Sequence, residues 1–393
     1  MERIIKSLLD TDFYKFNMNQ VIFHKHTNLN GEYHFKCRTA DAVFTQEIVD
    51  EINHQIDLLC QLKFTNEELE YLRSIRFIKD DYVEFLRLWH PIRDYVDAHL
   101  EGDKLVCVVT GPCFSAMQFE IYLLEIINEV YFRMTYNYDE LYASAMERLQ
   151  AKCEKLANNY YTFKFAEFGC RRRLSREFQE VVVREMSKTG KCVGTSNVYL
   201  AMKYHLTPIG TYAHEFVQMY QGISTIPVAM TNKVALQEWF SEYNGDNGTA
   251  LTDTLGTDIF LKDFDYLQSL CYKGVRHDSG DPYAWGEKMI KHYESLGIDP
   301  KTKTLLFSDS LDFDKAQALY DYFKDRINVT FGIGTYCSND TKVRALNIVL
   351  KLQRVNGRPV AKISDTEGKT MCLDEGYVEY LKSAIERRLA DEK

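Results

Sequence analysis

Lys303-Thr-Leu-Leu-Phe-Ser-Asp-Ser310, then Leu311-Asp-Phe-Asp-Lys-Ala-Gln-Ala-Leu-Tyr-Asp-Tyr-Phe323, then Asn328-Val-Thr-Phe-Gly-Ile333 is the stretch from which the fold can be read. An apolar run of strand length ends in polar residues, a helical pattern follows, and a second apolar run closes the unit. Strands separated by a helix lie parallel, joined by a right-handed crossover. The pattern recurs upstream. Apolar runs lie near 163–168, 191–194, 208–213, 249–254, 274–278, 303–309 and 328–333, with helical patterns such as 177–188, 258–270 and 285–296 between them. Seven such units suit an irregular or incomplete α/β barrel. An open doubly wound sheet satisfies the same alternation.

The first third of the chain mixes its elements. Residues 32–38 alternate apolar and polar, the period of a half-buried strand. Ile48, Ile52, Ile56 and Leu59 share one helical face. Thr65 with Glu68 has the spacing of a capping box. Residues 105–110 form a strand candidate ended by Gly111-Pro112, and 116–157 read as two helices.

Composition narrows the function classes. The chain has 48 Lys and Arg against 57 Asp and Glu, a net charge of −9. Nucleic-acid binders need a basic surplus to neutralise phosphate, so none is expected as a partner. No window approaches the ~18 apolar residues of a membrane helix, and acids interrupt the N-terminal run where a signal peptide would continue. A cytoplasmic protein is therefore expected. The ten cysteines stand singly, without the paired spacings of zinc or redox sites, and read as small buried apolar residues.

The apolar runs end in Glu167-Phe-Gly-Cys-Arg171, Gly194-Thr-Ser196, Thr211-Tyr-Ala-His214-Glu215, Thr252-Asp253, Arg276-His-Asp278-Ser-Gly280, Ser308-Asp309-Ser310 and Gly332-Ile-Gly334-Thr335. In a barrel these ends gather at one rim, where active sites are built. The glycines of Gly332-Ile-Gly334 would let backbone N–H groups approach an anion. Arg171-Arg-Arg-Leu-Ser-Arg176 opens a helix in this reading. Cations face the positive end of a helix dipole there unfavourably, which suggests either a bound anion or a solvated surface patch. Gly368-Lys369-Thr370 is no P-loop, because Ile363 stands where that motif needs glycine. His214 is either a structural strand-end histidine or a catalyst whose imidazole an acid tunes.

Taken in order, Leu9-Asp-Thr-Asp-Phe-Tyr14-Lys, Phe168-Gly-Cys-Arg171-Arg, Gly194-Thr-Ser-Asn197, Thr211-Tyr-Ala-His214-Glu, Arg276-His-Asp-Ser-Gly280-Asp-Pro282 and Phe331-Gly-Ile-Gly334-Thr335 resemble the nicotinate phosphoribosyltransferase family, over residues 8–370 or so. The resemblance implies an irregular α/β barrel over 119–339 and a second α+β domain from 1–118 plus the C-terminal tail 340–393. It implies transfer of ribose 5-phosphate from phosphoribosyl pyrophosphate to nicotinate, the first step of NAD salvage from that base. It also implies ATP as co-substrate through a phosphohistidine at His214, and Mg2+ on unassigned ligands, with Asp253 and Asp309 as candidates. A homodimer with the site at its interface is expected. Arg171 and Arg276 would hold the departing pyrophosphate, and Arg38 would reach it across the interface. Asp278 suits the ribose hydroxyls, and Gly334 and Thr335 suit the 5-phosphate. Phe168 and Tyr14 would sandwich the pyridine, the tyrosine coming from the partner. Ser196, with Thr211 and Arg276, suits an acid substrate, because an acid in place of Ser196 would repel nicotinate and favour nicotinamide. A catalytically silent sensor of the same ligands is the reading from another class.

Overall fold

The computed structural model describes residues 1–366, 370 and 372–390. Gly368 and Lys369, excluded above as a P-loop, and the last three residues of the expected tail lie outside the described residues. Among the described residues there are twelve strands: β1 Asn30–Cys37, β2 Val96–Glu101, β3 Lys104–Pro112, β4 Phe165–Glu167, β5 Cys192–Thr195, β6 Thr207–Pro208, β7 Thr249–Leu251, β8 Gly274–His277, β9 Thr304–Phe307, β10 Asn328–Ile333, β11 Ile348–Val355 and β12 Arg358–Pro359.

β4 to β10 form a parallel sheet in the order β6-β5-β4-β10-β9-β8-β7. That order decides between the two architectures left open by the sequence. After β6 the chain starts β7 at the far edge and works back until β10 pairs with β4, with Phe331 opposite Phe165. This is the cyclic order of a barrel. Among the described residues no ladder joins β6 to β7, so the barrel is incomplete along that seam. One face of the sheet is sealed by an aromatic cluster: Phe163, Phe165, Phe313 and Phe331 meet with ring centroids 5.1–6.0 Å apart.

The third expected strand is much shorter than the apolar run 208–213. β6 has a neighbour on one side only, and Pro208 has no N–H to donate. The chain leaves the sheet at Ile209, so His214 begins the helix His214–Gln221 rather than ending a strand. The helical pattern over 258–270 is also two helices, Thr257–Asp263 and Tyr266–Cys271, the second capped by Asp265. The helix Phe313–Phe323, capped by Asp312, fills the helical stretch 311–323 apart from its first two residues.

The remaining strands form an antiparallel sheet in the order β12-β11-β1-β3-β2. β1 lies between β3 and β11, so the N-terminal part and the C-terminal tail build one α+β layer. The Thr65 capping box is present, with both hydrogen bonds made. The helix Phe119–Thr135, buried almost throughout, touches β11, the helix Gln46–Leu59 and the 3-10 turn Cys170–Arg172. It thereby ties the sheet to the barrel rim.

Candidate active site

A cavity of about 710 Å³ opens at the C-terminal ends of the parallel strands, roofed by β11 and the segment after β12. Ten of the eleven residues singled out from the sequence line it: Tyr14, Arg38, Phe168, Arg171, Ser196, His214, Arg276, Asp278, Gly334 and Thr335. Thr211 does not. It lines a smaller cavity of about 390 Å³ at the β6–β7 seam, which shares Phe168 and Arg276 with the larger one.

At one end of the large cavity stands His214, on the first turn of its helix. Its Nε2–H donates to Asp253 Oδ1 at 2.8 Å, and Asp278 Oδ2 lies 3.6 Å from the same nitrogen. Among the described residues Nδ1 has no hydrogen bond. Asp253 is otherwise engaged by Ser279 Oγ and by Lys362 Nζ, the latter at 2.9 Å. Burial works to raise the Asp253 carboxyl, but His214, Lys362 and Ser279 together hold it well below the usual carboxylate range. Burial lowers His214, and the Lys362 ammonium lowers it further against the pull of Asp253. The pair is therefore a neutral imidazole beside a carboxylate, with Asp253 fixing the tautomer so that the lone pair stands on Nδ1. Glu215 serves elsewhere: Lys15, fully buried, pairs with it and with Glu120 Oε2 at 2.6 Å.

At the other end stand the aromatic residues. Tyr14 reaches the cavity from within its own chain, its hydroxyl 3.5 Å from Arg171 Nη2, whereas the resemblance implies delivery by a partner. The cause is local. Phe13 N–H donates to the Ser196 carbonyl at 2.7 Å, and Gly210 leaves room for the helix start, since a Cβ there would lie 2.7 Å from the Tyr14 nitrogen. Arg38 likewise lines its own chain's cavity. Gly332 has a different role from the anion contact expected of it. A Cβ at that position would meet the Phe168 ring at 2.2 Å, so the glycine makes space for an aromatic wall. Ser196 Oγ is 2.5 Å from Asp12 Oδ1, and both residues line the cavity.

The arginine run also differs from expectation. Residues 170–172 form a 3-10 turn, and the helix begins at Arg176 with Ser175 as its cap. Arg173 is fully buried against Asp10, at 2.6 Å, and Glu125, at 3.3 Å, so it is a strut rather than an anion ligand. Arg171 and Arg172 face the cavity. Burial lowers Arg172, and the neighbouring Arg171, Arg38 and Arg344 push it down further, to about 10. Arg276 Nε is buried without a hydrogen-bond partner among the described residues. Lys351, pushed down to about 8 by burial and by Arg171 and Lys362 despite Glu120, completes the wall. In a chain of charge −9, this concentration of cations makes a local polyanion site.

The descriptions of two family models cover most of the chain: "Nicotinate phosphoribosyltransferase (NAPRTase) family" over residues 163–388 and its N-terminal domain over 9–128. The chain belongs to the nicotinate phosphoribosyltransferase family. It is 46% identical over 392 residues to the nicotinate phosphoribosyltransferase of Chromobacterium violaceum, covering 97% of each chain. It is 46% identical over 404 residues to that of Acinetobacter baumannii, covering all of both. The crystal structure of nicotinate phosphoribosyltransferase from Vibrio cholerae superposes with a TM-score of 0.93 at 35% identity, over 100% of this chain and 97% of that one. Correspondence of this extent makes the chain an enzyme of the nicotinate phosphoribosyltransferase family.

Sequence reading missed Asp12, Arg172, Arg344, Lys351 and Lys362, all on the cavity wall. Lys362 is a lone cation after the buried Val360 and Ala361 and before the half-buried Ile363, a break in an apolar stretch that could have flagged it. Of the two metal candidates, Asp253 does not fit a magnesium ion, because its oxygens are taken by His214, Ser279 and Lys362. Asp309 lines the cavity with Asp278, and two carboxylates completed by substrate phosphates suit Mg2+. No helix among the described residues is long and apolar enough to cross a membrane.

Proposed function

We propose that this enzyme transfers ribose 5-phosphate from phosphoribosyl pyrophosphate to the ring nitrogen of nicotinate, giving nicotinate mononucleotide and pyrophosphate, and couples the step to ATP through His214. The observation that carries the reading is the neutral His214, held by Asp253 and Lys362 at one end of a cavity walled by arginines.

In the coupling step, Nδ1 of His214 attacks the terminal phosphorus of ATP, ADP leaves, and water later hydrolyses the phosphohistidine. Asp253 takes up the positive charge that develops on the imidazole. In the transfer step the C1′–oxygen bond of phosphoribosyl pyrophosphate breaks as the nicotinate nitrogen bonds to C1′. Positive charge grows on the ribose and negative charge on the leaving pyrophosphate, which Arg171, Arg172 and Arg276 are placed to receive. Tyr14 and Phe168 hold the flat base, and Asp278 accepts from the ribose hydroxyls. A magnesium ion at Asp278 and Asp309 would shield the phosphate charges. The same reading makes the enzyme a cytoplasmic homodimer, in keeping with the family resemblance.

The test is product formation from phosphoribosyl pyrophosphate and nicotinate with and without ATP, for the native enzyme and for His214→Ala. Nicotinate mononucleotide whose yield ATP raises only when His214 is present supports the reading. ATP stimulation that survives in His214→Ala removes the phosphohistidine, and absence of nicotinate mononucleotide removes the transfer.

A further inference from the structure

Asp12 is an acid at the place where an acid would be expected to select the wrong base. It lines the cavity beside Tyr14, Phe168 and Ser196, is almost fully buried, and shares a 2.5 Å hydrogen bond with Ser196 Oγ. Its position is fixed from both sides. Asp12 bridges Asn197 across the chain, and the Ser196 N–H donates to the Glu167 carbonyl at 2.8 Å. Among the described residues no cation is bonded to it: Arg171, whose charge acts on it, is instead placed on Tyr14 Oη at 3.5 Å and Glu120 at 3.4 Å. A buried carboxylate with a neutral partner is costly to keep ionised.

We propose that Asp12 and Ser196 form a proton relay that sets the enzyme's choice between an anionic and a neutral pyridine base. With a proton on Asp12, its O–H donates to Ser196 Oγ, and the Ser196 O–H is free to donate to the carboxylate of nicotinate. With Asp12 ionised, the Ser196 O–H must donate to Asp12. Only lone pairs and a negative charge then face the cavity, an arrangement that repels nicotinate and accepts from an amide N–H₂ such as that of nicotinamide. The proton comes from and returns to solvent, and no other group changes. Ser196 alone does not carry the selectivity; its donor is available only while Asp12 is protonated. The inference rests on the pyridine base occupying the Tyr14–Phe168 end.

The surroundings favour the protonated form. Burial raises the Asp12 carboxyl, opposed by the hydrogen bond from Ser196, by Arg171 and by Cys170, and Glu120 raises it again. Glu125 and Glu167, from the adjoining helix and strand, and Tyr14 on the helix that follows are the other titratable groups that interact with it.

The experiment measures kcat/KM for nicotinate and for nicotinamide from pH 5 to 7, where Lys351, at about 8, keeps its charge, and takes their ratio, so that inactive protein and the titration of His214 cancel. In the native enzyme the ratio falls with rising pH, by up to about tenfold per unit where Asp12 titrates, the limit for one linked proton. In Asp12→Asn the ratio is flat. In Ser196→Ala the preference for nicotinate is reduced and its pH dependence is lost with the donor. A flat ratio in the native enzyme with nicotinate still turned over, or a slope that persists in Asp12→Asn, overturns the relay alone. No turnover of either base at any pH overturns the relay and the functional reading together.

Discussion

The two ends of the cavity each hold a buried aspartate, and the chain treats them oppositely. Asp253 has an imidazole, an ammonium and a hydroxyl on it, and it is held well below the usual carboxylate range. Asp12 has the Ser196 hydroxyl, and burial pushes it up. Asp10, two residues away, is equally buried but carries Arg173 and is lowered. Burial therefore does not decide the charge of a carboxyl in this fold; the partner does. On the proposed reading, the His214 end has a fixed anion to stand beside a developing imidazolium, and the Asp12 end has a carboxyl whose charge can change with the ligand beside it.

The most severe way to break this contrast is Asp253→Asn. It keeps the shape but removes the anion that sets the His214 tautomer and leaves Lys362 without its closest counter-ion. ATP-stimulated turnover should fall by about 100-fold or more, the scale of a lost acid–base partner. Labelling with γ-phosphate-labelled ATP should show a matching loss of phosphoenzyme, while nicotinate still binds. Equal loss of base binding would mean that the two ends are not separable.

A gentler change acts at the opposite end. Gly332→Ala places a Cβ 2.2 Å from the Phe168 ring, which must move. The KM for nicotinate should rise about tenfold, the effect of losing a fraction of an aromatic contact. ATP hydrolysis without base should hardly change. Unchanged KM would show that Phe168 does not hold the base.

The sequence carried the parallel barrel and most of the cavity because both follow from local pattern. Each strand end brings its own polar residue to the rim, so Arg276, Asp278 and Thr335 could be found from strand positions alone. The seam between β6 and β7 was not legible, since 208–213 is as apolar as a true strand and only the missing neighbour shortens it. Lys362, Lys351 and Asp12 come from segments that fold back over the rim from the two ends of the chain. Lys351 and Lys362 are placed by β1 pairing with β11, a contact across more than 300 residues, and Asp12 by its bridge to Asn197, and no periodicity encodes either. The arginine run misled for a related reason: its third arginine, Arg173, meets Asp10 and Glu125 from distant segments and is buried instead of presented.

The smallest expected effect sharpens the comparison through stability. A carboxyl raised in the folded state binds a proton there that the unfolded chain has released, so stability falls as pH rises above the unfolded value, 3.8 for Asp12. Asp12→Asn removes that penalty while keeping an acceptor for Ser196. The variant should be more stable than the native enzyme at pH 8, read as a higher Tm, with the gap closing as pH falls toward 4. Asp253→Asn must behave in the opposite sense. A carboxyl lowered in the folded state contributes stability above its unfolded value and loses it as pH falls, so this variant is less stable at neutral pH and the difference shrinks in acid. Thermal unfolding of both variants across pH 4–8 therefore gives two differences of opposite sign that converge at the acid end. Differences of the same sign would mean that Asp12 is ionised in the folded enzyme, held by a partner as Asp253 is.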